Sequence, residues 1–143
     1  MYGDTTEIRR LARRLRDQAD EIRDDARALQ RRATDVPWQG RAATSMRQRA
    51  EQRCLALRRT ATAHDRAAAA LEAHATEVER RKELIAEVEK RVRSAVTAAR
   101  DRIGAMADGL PDPVDELLDR FVPPRPGHQD WLDVQLPGIG SGR

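Results

Sequence analysis

Apolar residues recur every seven positions over the first part of the chain, and polar residues fill most of the positions between them. The two apolar columns are Ile8, Leu15, Ile22, Leu29 and Val36, and Ala12, Ala19, Ala26 and Ala33. Strict heptad spacing places such columns on one stripe of a helix that packs lengthwise against another helix. Residues 4–35 are therefore predicted to form a first helix, which Asp4, Thr5 or Thr6 can cap at its N-terminus.

The heptad pattern stops at the sequence Asp-Val-Pro-Trp-Gln-Gly. Pro37 disfavours helical backbone at Val36, and Gly40 can adopt backbone angles that are closed to other residues. Because the break is short, the next helix must return antiparallel to the first. Residues 36–40 are therefore predicted to form a hairpin turn whose structural residues are Pro37, Trp38 and Gly40, with Trp38 sealing the tip of the hairpin.

The region after the turn is predicted to form a second, much longer helix over residues 41–108. No Pro or Gly occurs between Arg41 and Ile103. Two heptad columns continue along it, namely Ala50, Leu57, His64, Leu71, Val78, Ile85, Val92, Ala99 and Met106, and Cys54, Ala61, Ala68, Ala75, Lys82, Glu89, Val96 and Ile103. We expect an all-α fold in which residues 1–110 form an antiparallel, coiled-coil-like helical hairpin with an extended second helix.

The second helix is predicted to outlast the first by about 35 residues, or roughly 50 Å at helical rise. The first helix would end opposite Leu71 to Ala75, and the apolar stripe beyond that point would be left exposed. This stripe consists of Val78, Ile85, Val92, Val96 and Ile103. An uncovered apolar stripe is typical of an interaction surface, so these five residues are predicted to bind a partner. The alternative is that residues 76–108 bend back onto the hairpin.

A second change of pattern follows Gly104 and Gly109. Asp112 and Pro113 are a typical helix start. The apolar face that follows consists of Val114, Leu117, Leu118 and Phe121. Residues 111–121 are therefore predicted to form a short amphipathic helix. Residues 122–143 contain several Pro and Gly residues and are expected to form an extended, flexible tail.

Composition limits the kind of core that the chain can build. Hydrophobic residues make up 39% of the 143 residues but aromatic residues only 3%, which suits a thin seam between helices. The net charge is +3, and the single cysteine allows no internal disulfide. The N-terminus leads directly into charged residues, unlike a secretory signal. No run reaches the roughly 20 apolar residues that span a bilayer.

No arrangement of residues typical of catalysis or metal binding is present. The spacing of His64, His74, His128 and Cys54 does not fit a metal site, and no Gly-rich loop follows a strand. We therefore predict that the protein is not an enzyme and uses no cofactor, metal or small-molecule substrate. One basic cluster consists of Arg41, Arg47, Arg49, Arg53, Arg58 and Arg59. It lacks the aromatic residues or recognised module that a nucleic-acid interface usually adds.

The Trp-Gln-Gly triplet that begins at Trp38 lies at the tip of a predicted helical hairpin. This arrangement resembles the WXG100 family of helical-hairpin proteins, which are linked to type VII secretion in actinobacteria and related bacteria. The resemblance covers roughly residues 4–75. It implies a structural partner or escort that forms a four-helix bundle, as a homo- or heterodimer with another WXG100-like hairpin or with the helical N-terminal region of a larger effector. It also implies a cytoplasmic location before export without a cleaved signal peptide.

One feature of that family is missing from the predicted position. Its export signals resemble Tyr-x-x-x-Asp/Glu just after the second helix, whereas the only tyrosine here is Tyr2. We therefore expect either export with a partner that carries the signal or an escort role inside the cell. The competing hypothesis is a cytoplasmic coiled-coil scaffold with weak nucleic-acid affinity. The leading hypothesis includes neither a nucleic-acid partner nor a membrane partner.

Overall fold

The computed structural model describes residues 4–106 and 109–139, which are mostly helical. The elements are α1 (Thr5–Asp35), α2 (Arg41–Ala105), α3 (Pro113–Asp119) and a 3-10 helix (Gln129–Asp133). The described residues contain no β-strand, and the predicted all-α fold with a short and a long helix is confirmed. The predicted end of the second helix at 107–108 and the last four residues of the predicted tail, 140–143, lie outside the described residues.

The chain divides into two compact units. The hairpin unit is Asp4–Thr76, which contains α1 and the first part of α2. The C-terminal unit begins at Glu77 and contains the rest of α2, α3 and the 3-10 helix. None of the helices in residues 4–106 and 109–139 combines the length and the low polarity needed to cross a bilayer.

The core of the hairpin unit is a seam of small residues. α1 buries only Ala12, Ala19, Ala26 and Ala33. The buried residues on the α2 side are Ala43, Ala50, Cys54, Ala61, Ala68 and Ala75. The Cys54 thiol donates a hydrogen bond to the backbone carbonyl of Ala26, with 3.3 Å between Sγ and O. The Cys54 side chain reaches the backbone of α1 because the small alanine side chains in the seam let the two helices approach closely.

The hairpin turn has the backbone that its sequence predicts. α1 ends at Asp35 because Val36, which precedes Pro37, adopts extended angles of φ −68° and ψ 120°. Gly40 has φ +100°, a left-handed conformation that favours glycine. The prediction that Trp38 seals the tip is wrong, since Trp38 is 61% exposed.

Arg47 fixes the turn instead of Trp38. Its Nη2 atom donates hydrogen bonds to the carbonyl oxygens of Val36 and Trp38, at 2.9 and 3.0 Å. Carbonyl groups just after a helix end lack helical partners, and a charged donor from the next helix satisfies them. One arginine of α2 therefore holds the start and the middle of the short connection.

The C-terminal unit has a core of larger side chains. Its buried residues are Ile85, Val88 and Val92 of α2, with Trp131 and Val134 from the end of the chain. Trp131 is fully buried, so the expectation of an extended, flexible tail is wrong for this part of residues 122–143. The physical reason is that the tail carries enough apolar side chains to cover α2 once Trp131 docks there.

The buried column of α2 changes after Ala75. Before that point the buried positions include Cys54, Ala61, Ala68 and Ala75, and after it they include Val78, Ile85, Val92 and Ala99. Both sets are heptad columns. The first set continues into Lys82 and Glu89, and burying their charged groups would cost hydration energy. The C-terminal unit therefore buries the column that stays apolar.

Candidate functional site

The five residues predicted to bind a partner are not exposed. Val78, Ile85 and Val92 are 5%, 2% and 1% exposed, and Val96 and Ile103 are half-buried. The expected exposure of this stripe is therefore wrong. The end of the chain packs against Ile85, Val92 and Val96, which neither the projecting helix nor the bent-back helix of the sequence-based alternatives included. A partner-binding role for the five residues stays a prediction.

Two arginines of α2 hold α3 in place through ion pairs. Arg102 forms a two-point contact with Asp115, with Nε–Oδ2 at 2.9 Å and Nη2–Oδ1 at 2.5 Å. Arg100 Nε donates to Asp119 Oδ1 at 2.9 Å. Because the Arg102 guanidinium donates hydrogen bonds to the carboxylate, the pKa of Asp115 lies below its ordinary value. Asp115 is therefore ionised at neutral pH, so its contact with Arg102 is at full strength there.

The contacts of Glu89 explain why a charged residue stands at this position of a heptad column of α2. Its Oε2 atom accepts a hydrogen bond from the backbone N–H of Gly127 at 3.1 Å, and its Oε1 atom pairs with Arg93. The Trp131 indole N–H donates to the carbonyl oxygen of Arg125 at 2.9 Å. These polar contacts fix the segment around Trp131 in one position on α2. The contacts of this charged heptad residue are therefore made within the same chain.

Sequence reasoning missed the docking of this segment. The signal that could have found it is a run of apolar residues near the end of the chain, namely Trp131, Leu132, Val134, Leu136 and Ile139. The Pro-rich sequence just before the run is typical of a flexible segment and therefore predicted a flexible tail. A fully buried tryptophan with its N–H satisfied is typical of a fixed core rather than a mobile tail.

The hairpin unit has one face closed by polar contacts between its helices. Arg16 pairs with Glu72 at 2.6 Å, and Arg23 pairs with Asp65. Further along the same face, Arg58 Nη2 donates to Gln30 Oε1 at 2.8 Å. The three contacts recur at intervals of seven residues on both helices, so they form a regular polar border along one side of the alanine seam.

The opposite face of the hairpin unit carries the large apolar side chains. On α1, the position four after Ala12 is Arg16, about 40° to one side of the alanine column, whereas Leu15 lies about 60° to the other side. The same order holds on α2 around Ala61. Because the polar columns meet on one face, the apolar columns share the other. This open face consists of Ile8, Leu15, Ile22 and Leu29 on α1, and Leu57, His64 and Leu71 on α2.

The residues of the open face are all half-buried. The alanine seam covers their inner side, and nothing within the hairpin unit covers the outer side. Leu11, which neighbours the α1 column, is 46% exposed. The open face is therefore a continuous apolar surface of the hairpin unit along both helices, which is typical of an interaction surface.

The histidines and the cysteine of the chain are of the types that most often bind metals or act as nucleophiles. Within residues 4–106 and 109–139, no group of three or more His, Cys, Asp or Glu side chains is placed to hold a metal ion. Cys54 is buried in the seam, and His64 bonds through Nδ1 to the carbonyl oxygen of Thr60, one turn earlier in α2. These residues belong to the packing of the hairpin unit.

Comparison with known protein families gives a match to the helical region. The family described as "Putative T7SS secretion signal domain" matches residues 1–109, about three quarters of the chain. Neither the search of curated proteins nor the search of solved structures returned a match. The matched region includes the whole of α1, the Trp38 turn and α2, and the paired-helix fold is consistent with a WXG100-like protein. This chain belongs to the type VII secretion signal domain family and is a type VII secretion-associated protein.

Proposed function

We propose that the protein acts as a structural partner or escort in type VII secretion, and that its hairpin unit pairs with a second helical hairpin to form a four-helix bundle. The second hairpin is another WXG100-like protein, a second copy of this chain or the helical N-terminal region of a larger effector. The single observation that supports this proposal is the open face, where half-buried leucines and isoleucines line both helices along the alanine seam.

The energetics of the hairpin unit favour such pairing. Its internal core is made of alanines and one cysteine, and small side chains gain little from burial. Complete burial of a leucine or isoleucine contributes about 1.5–3 kcal/mol, so covering the outer half of each would add on the order of 1 kcal/mol. Six such side chains along the open face are enough to sustain a specific contact after ordering costs. A second hairpin supplies a matching surface of the same length.

The experiment is an export assay in a bacterium with an intact type VII system and the genes that neighbour this one. The double variant Leu15→Asp, Leu57→Asp places two charges on the open face. We expect this variant to abolish type VII-dependent export. The exported protein that disappears from the medium is the chain itself, the neighbouring hairpin protein or the neighbouring effector. Leu55→Asp is the matched control, because Leu55 is 47% exposed and lies outside the open face.

Two results would overturn the proposal. One is export of the chain and of every neighbouring product at wild-type levels with the double variant in place. The other is loss of export that Leu55→Asp causes equally, which would indicate a general effect of added charge. A circular dichroism spectrum of each purified variant establishes that the helices still form.

A further inference from the structure

An open cleft with a basic rim lies on the hairpin unit close to the turn. Its volume is about 570 Å³, and its lining residues are Leu29, Ala42, Ser45, Met46, Arg49, Ala50 and Arg53. Leu29 belongs to the open face, and Ala50 continues the Leu57 column one heptad earlier. The cleft is therefore the end of the open face nearest the turn. Its floor is apolar, and no carboxylate is among the residues that line it.

The two arginines at the rim, Arg49 and Arg53, differ from other arginines of the hairpin unit in their charge partners. Within the part of the chain that the structure describes, neither Arg49 nor Arg53 forms an ion pair. The arginines on the closed face differ, since Arg16 and Arg23 each pair with a carboxylate of α2. Arg49 and Arg53, which lie beside the apolar open face, thus lack among the described residues the carboxylate partners that Arg16 and Arg23 have on the closed face.

The surroundings add to the positive potential of the cleft. Residues 41–59 contain six arginines and only one acidic residue, Glu51. The first turn of α2 has no acidic side chain, so the partial positive charge of the helix N-terminus is not offset there. A partner that covers the cleft meets a basic surface along its rim and an apolar surface at its floor.

From this combination we infer that the cleft binds an acidic amphipathic helix of the partner protein. Arg49 and Arg53 are four residues apart, about 6 Å along the helix axis. Carboxylates spaced by four residues on a partner helix have the same separation, and an apolar side chain on the same edge enters the cleft between Leu29 and Met46. This inference rests on the proposed function and specifies the chemistry of the hairpin that pairs with the open face.

Nucleic acid is a poorer match to the same surface. Binding along a phosphate backbone uses many basic contacts and needs no apolar floor. Bases of single strands stack on aromatic side chains, and no aromatic residue lines the cleft. An acidic amphipathic helix uses the rim through its carboxylates and the floor through an apolar side chain, whereas phosphates use the rim alone.

The test measures binding of a synthetic helical peptide to the full chain by fluorescence anisotropy. The peptide has roughly 20 residues, with leucines at a helical spacing of three and four and glutamates four residues apart along one flank. A second peptide has lysine in place of each glutamate, and a DNA duplex of similar length is the third probe. The variants are Arg49→Glu with Arg53→Glu, and the matched control Arg59→Glu with Arg66→Glu, which changes the same charge on the outer side of α2.

The expected result is that the acidic peptide binds and the lysine peptide does not. Reversal of Arg49 and Arg53 should weaken the Kd by roughly tenfold, because two exposed charge pairs with the peptide are lost and replaced by repulsion. The control variant should change the Kd by less than about twofold. Equal binding by the two variants, absence of acidic-peptide binding, or tighter binding of DNA than of the peptide would each overturn the inference.

The open face itself is tested separately, by the export assay described above. Leu15→Asp with Leu57→Asp reports on hairpin pairing, whereas the arginine reversal reports on the cleft. If the leucine variant abolishes export and the arginine variant leaves peptide binding unchanged, the proposed function stands and the acidic partner is wrong. If both variants are without effect, the pairing itself is wrong.

Discussion

Alanine decides how closely the two helices of the hairpin unit approach each other. Ala12, Ala19 and Ala61 are fully buried, and each presents only a methyl group to the other helix. One buried methyl or methylene group contributes about 0.8 kcal/mol, compared with about 1.5–3 kcal/mol for a whole leucine side chain. The seam therefore allows close approach but stabilises the unit only modestly. The larger side chains beside it, such as Leu15 and Leu57, are left to contribute on contact with a partner.

Gly40→Ala is expected to lower the free energy of unfolding by about 1 kcal/mol, because alanine rarely adopts a left-handed conformation. Gly40 has φ +100°, and no atom lies within 4 Å of an added Cβ, so the cost comes from the backbone alone. Gly104→Ala is the matched control. Gly104 lies in α2 with equally open surroundings, and helix propensity predicts a gain of about 0.5–1 kcal/mol there.

Urea unfolding followed by circular dichroism measures both glycine variants. Loss of stability at Gly40 with a gain at Gly104 is the expected pair of results. A Gly40→Ala chain as stable as the wild type would mean that the turn does not need the observed backbone conformation.

Asp115 makes the stability of the C-terminal unit dependent on pH. Its pKa in the folded chain lies below the ordinary value of 3.8, chiefly through the hydrogen bonds from Arg102. A lowered pKa in the folded state stabilises the fold above the unfolded pKa, and this contribution disappears as the pH falls through the folded pKa. We therefore expect the C-terminal unit to lose stability below about pH 3.8, and Asp115→Asn to remove part of that loss.

Trp131 fluorescence reports on this unit once Trp38 is replaced by phenylalanine, since the chain has only two tryptophans. The measurement is the unfolding midpoint of Trp131 emission between about pH 6 and pH 2.5. Asp101→Asn is the control, because Asp101 is exposed and forms no ion pair among the described residues. Identical pH profiles for Asp115→Asn and Asp101→Asn would contradict the role given to Asp115.

At the scale of elements, local sequence patterns predicted the helices but not the surfaces that they bury. α1 and α2 begin and end close to their predicted limits, because heptad spacing and the Pro37 to Gly40 break act over a few residues. The docking of Trp131 onto Ile85 joins positions far apart in the chain, and no local pattern encodes it. After Ala75, α2 buries the heptad column of Val78, Ile85 and Val92. This change depends on the docking of Trp131, so local sequence patterns could not predict it either.

The open face is an intermediate case. The columns of Leu15 and Leu57 are visible in the sequence as heptad positions. Which side of the alanine seam they occupy becomes clear only when Arg16 is seen to pair with Glu72, because that contact fixes the closed face. The sequence therefore predicted the residues of the candidate site on the hairpin unit as seam residues, without separating the buried column from the open one.

Trp131→Ala is expected to destabilise the C-terminal unit by about 3–5 kcal/mol, since it removes the largest fully buried side chain from the core around Ile85 and Val92. Hydrogen exchange measured by mass spectrometry should show loss of protection in α3 and the 3-10 helix, with α1 protected as before. Trp38→Ala is the matched control, because Trp38 is 61% exposed, and its effect should stay within about 0.5 kcal/mol. Equal protection in the two variants would mean that Trp131 does not hold the segment on α2.

At the scale of the whole molecule, the two units differ in how complete their cores are. The C-terminal unit covers its apolar stripe with its own chain, through Trp131 and the arginine contacts of α3. The hairpin unit closes one face with ion pairs and leaves the opposite face half-buried. The open face is therefore the surface that we propose to pair with a second hairpin, whereas the core around Ile85 is buried by side chains of its own chain.

The mass of the complex in solution tests this account most directly. Light scattering coupled to size-exclusion chromatography is applied to the full chain, alone and co-expressed with each hairpin protein from a neighbouring gene. The account predicts a species of two hairpins, which for two copies of this chain has twice the 16.1 kDa of one. Leu15→Asp with Leu57→Asp should return it to one chain, and Leu55→Asp should not. A wild-type chain that stays at the mass of one chain in every pairing, or a complex that survives the double substitution on the open face, would contradict it.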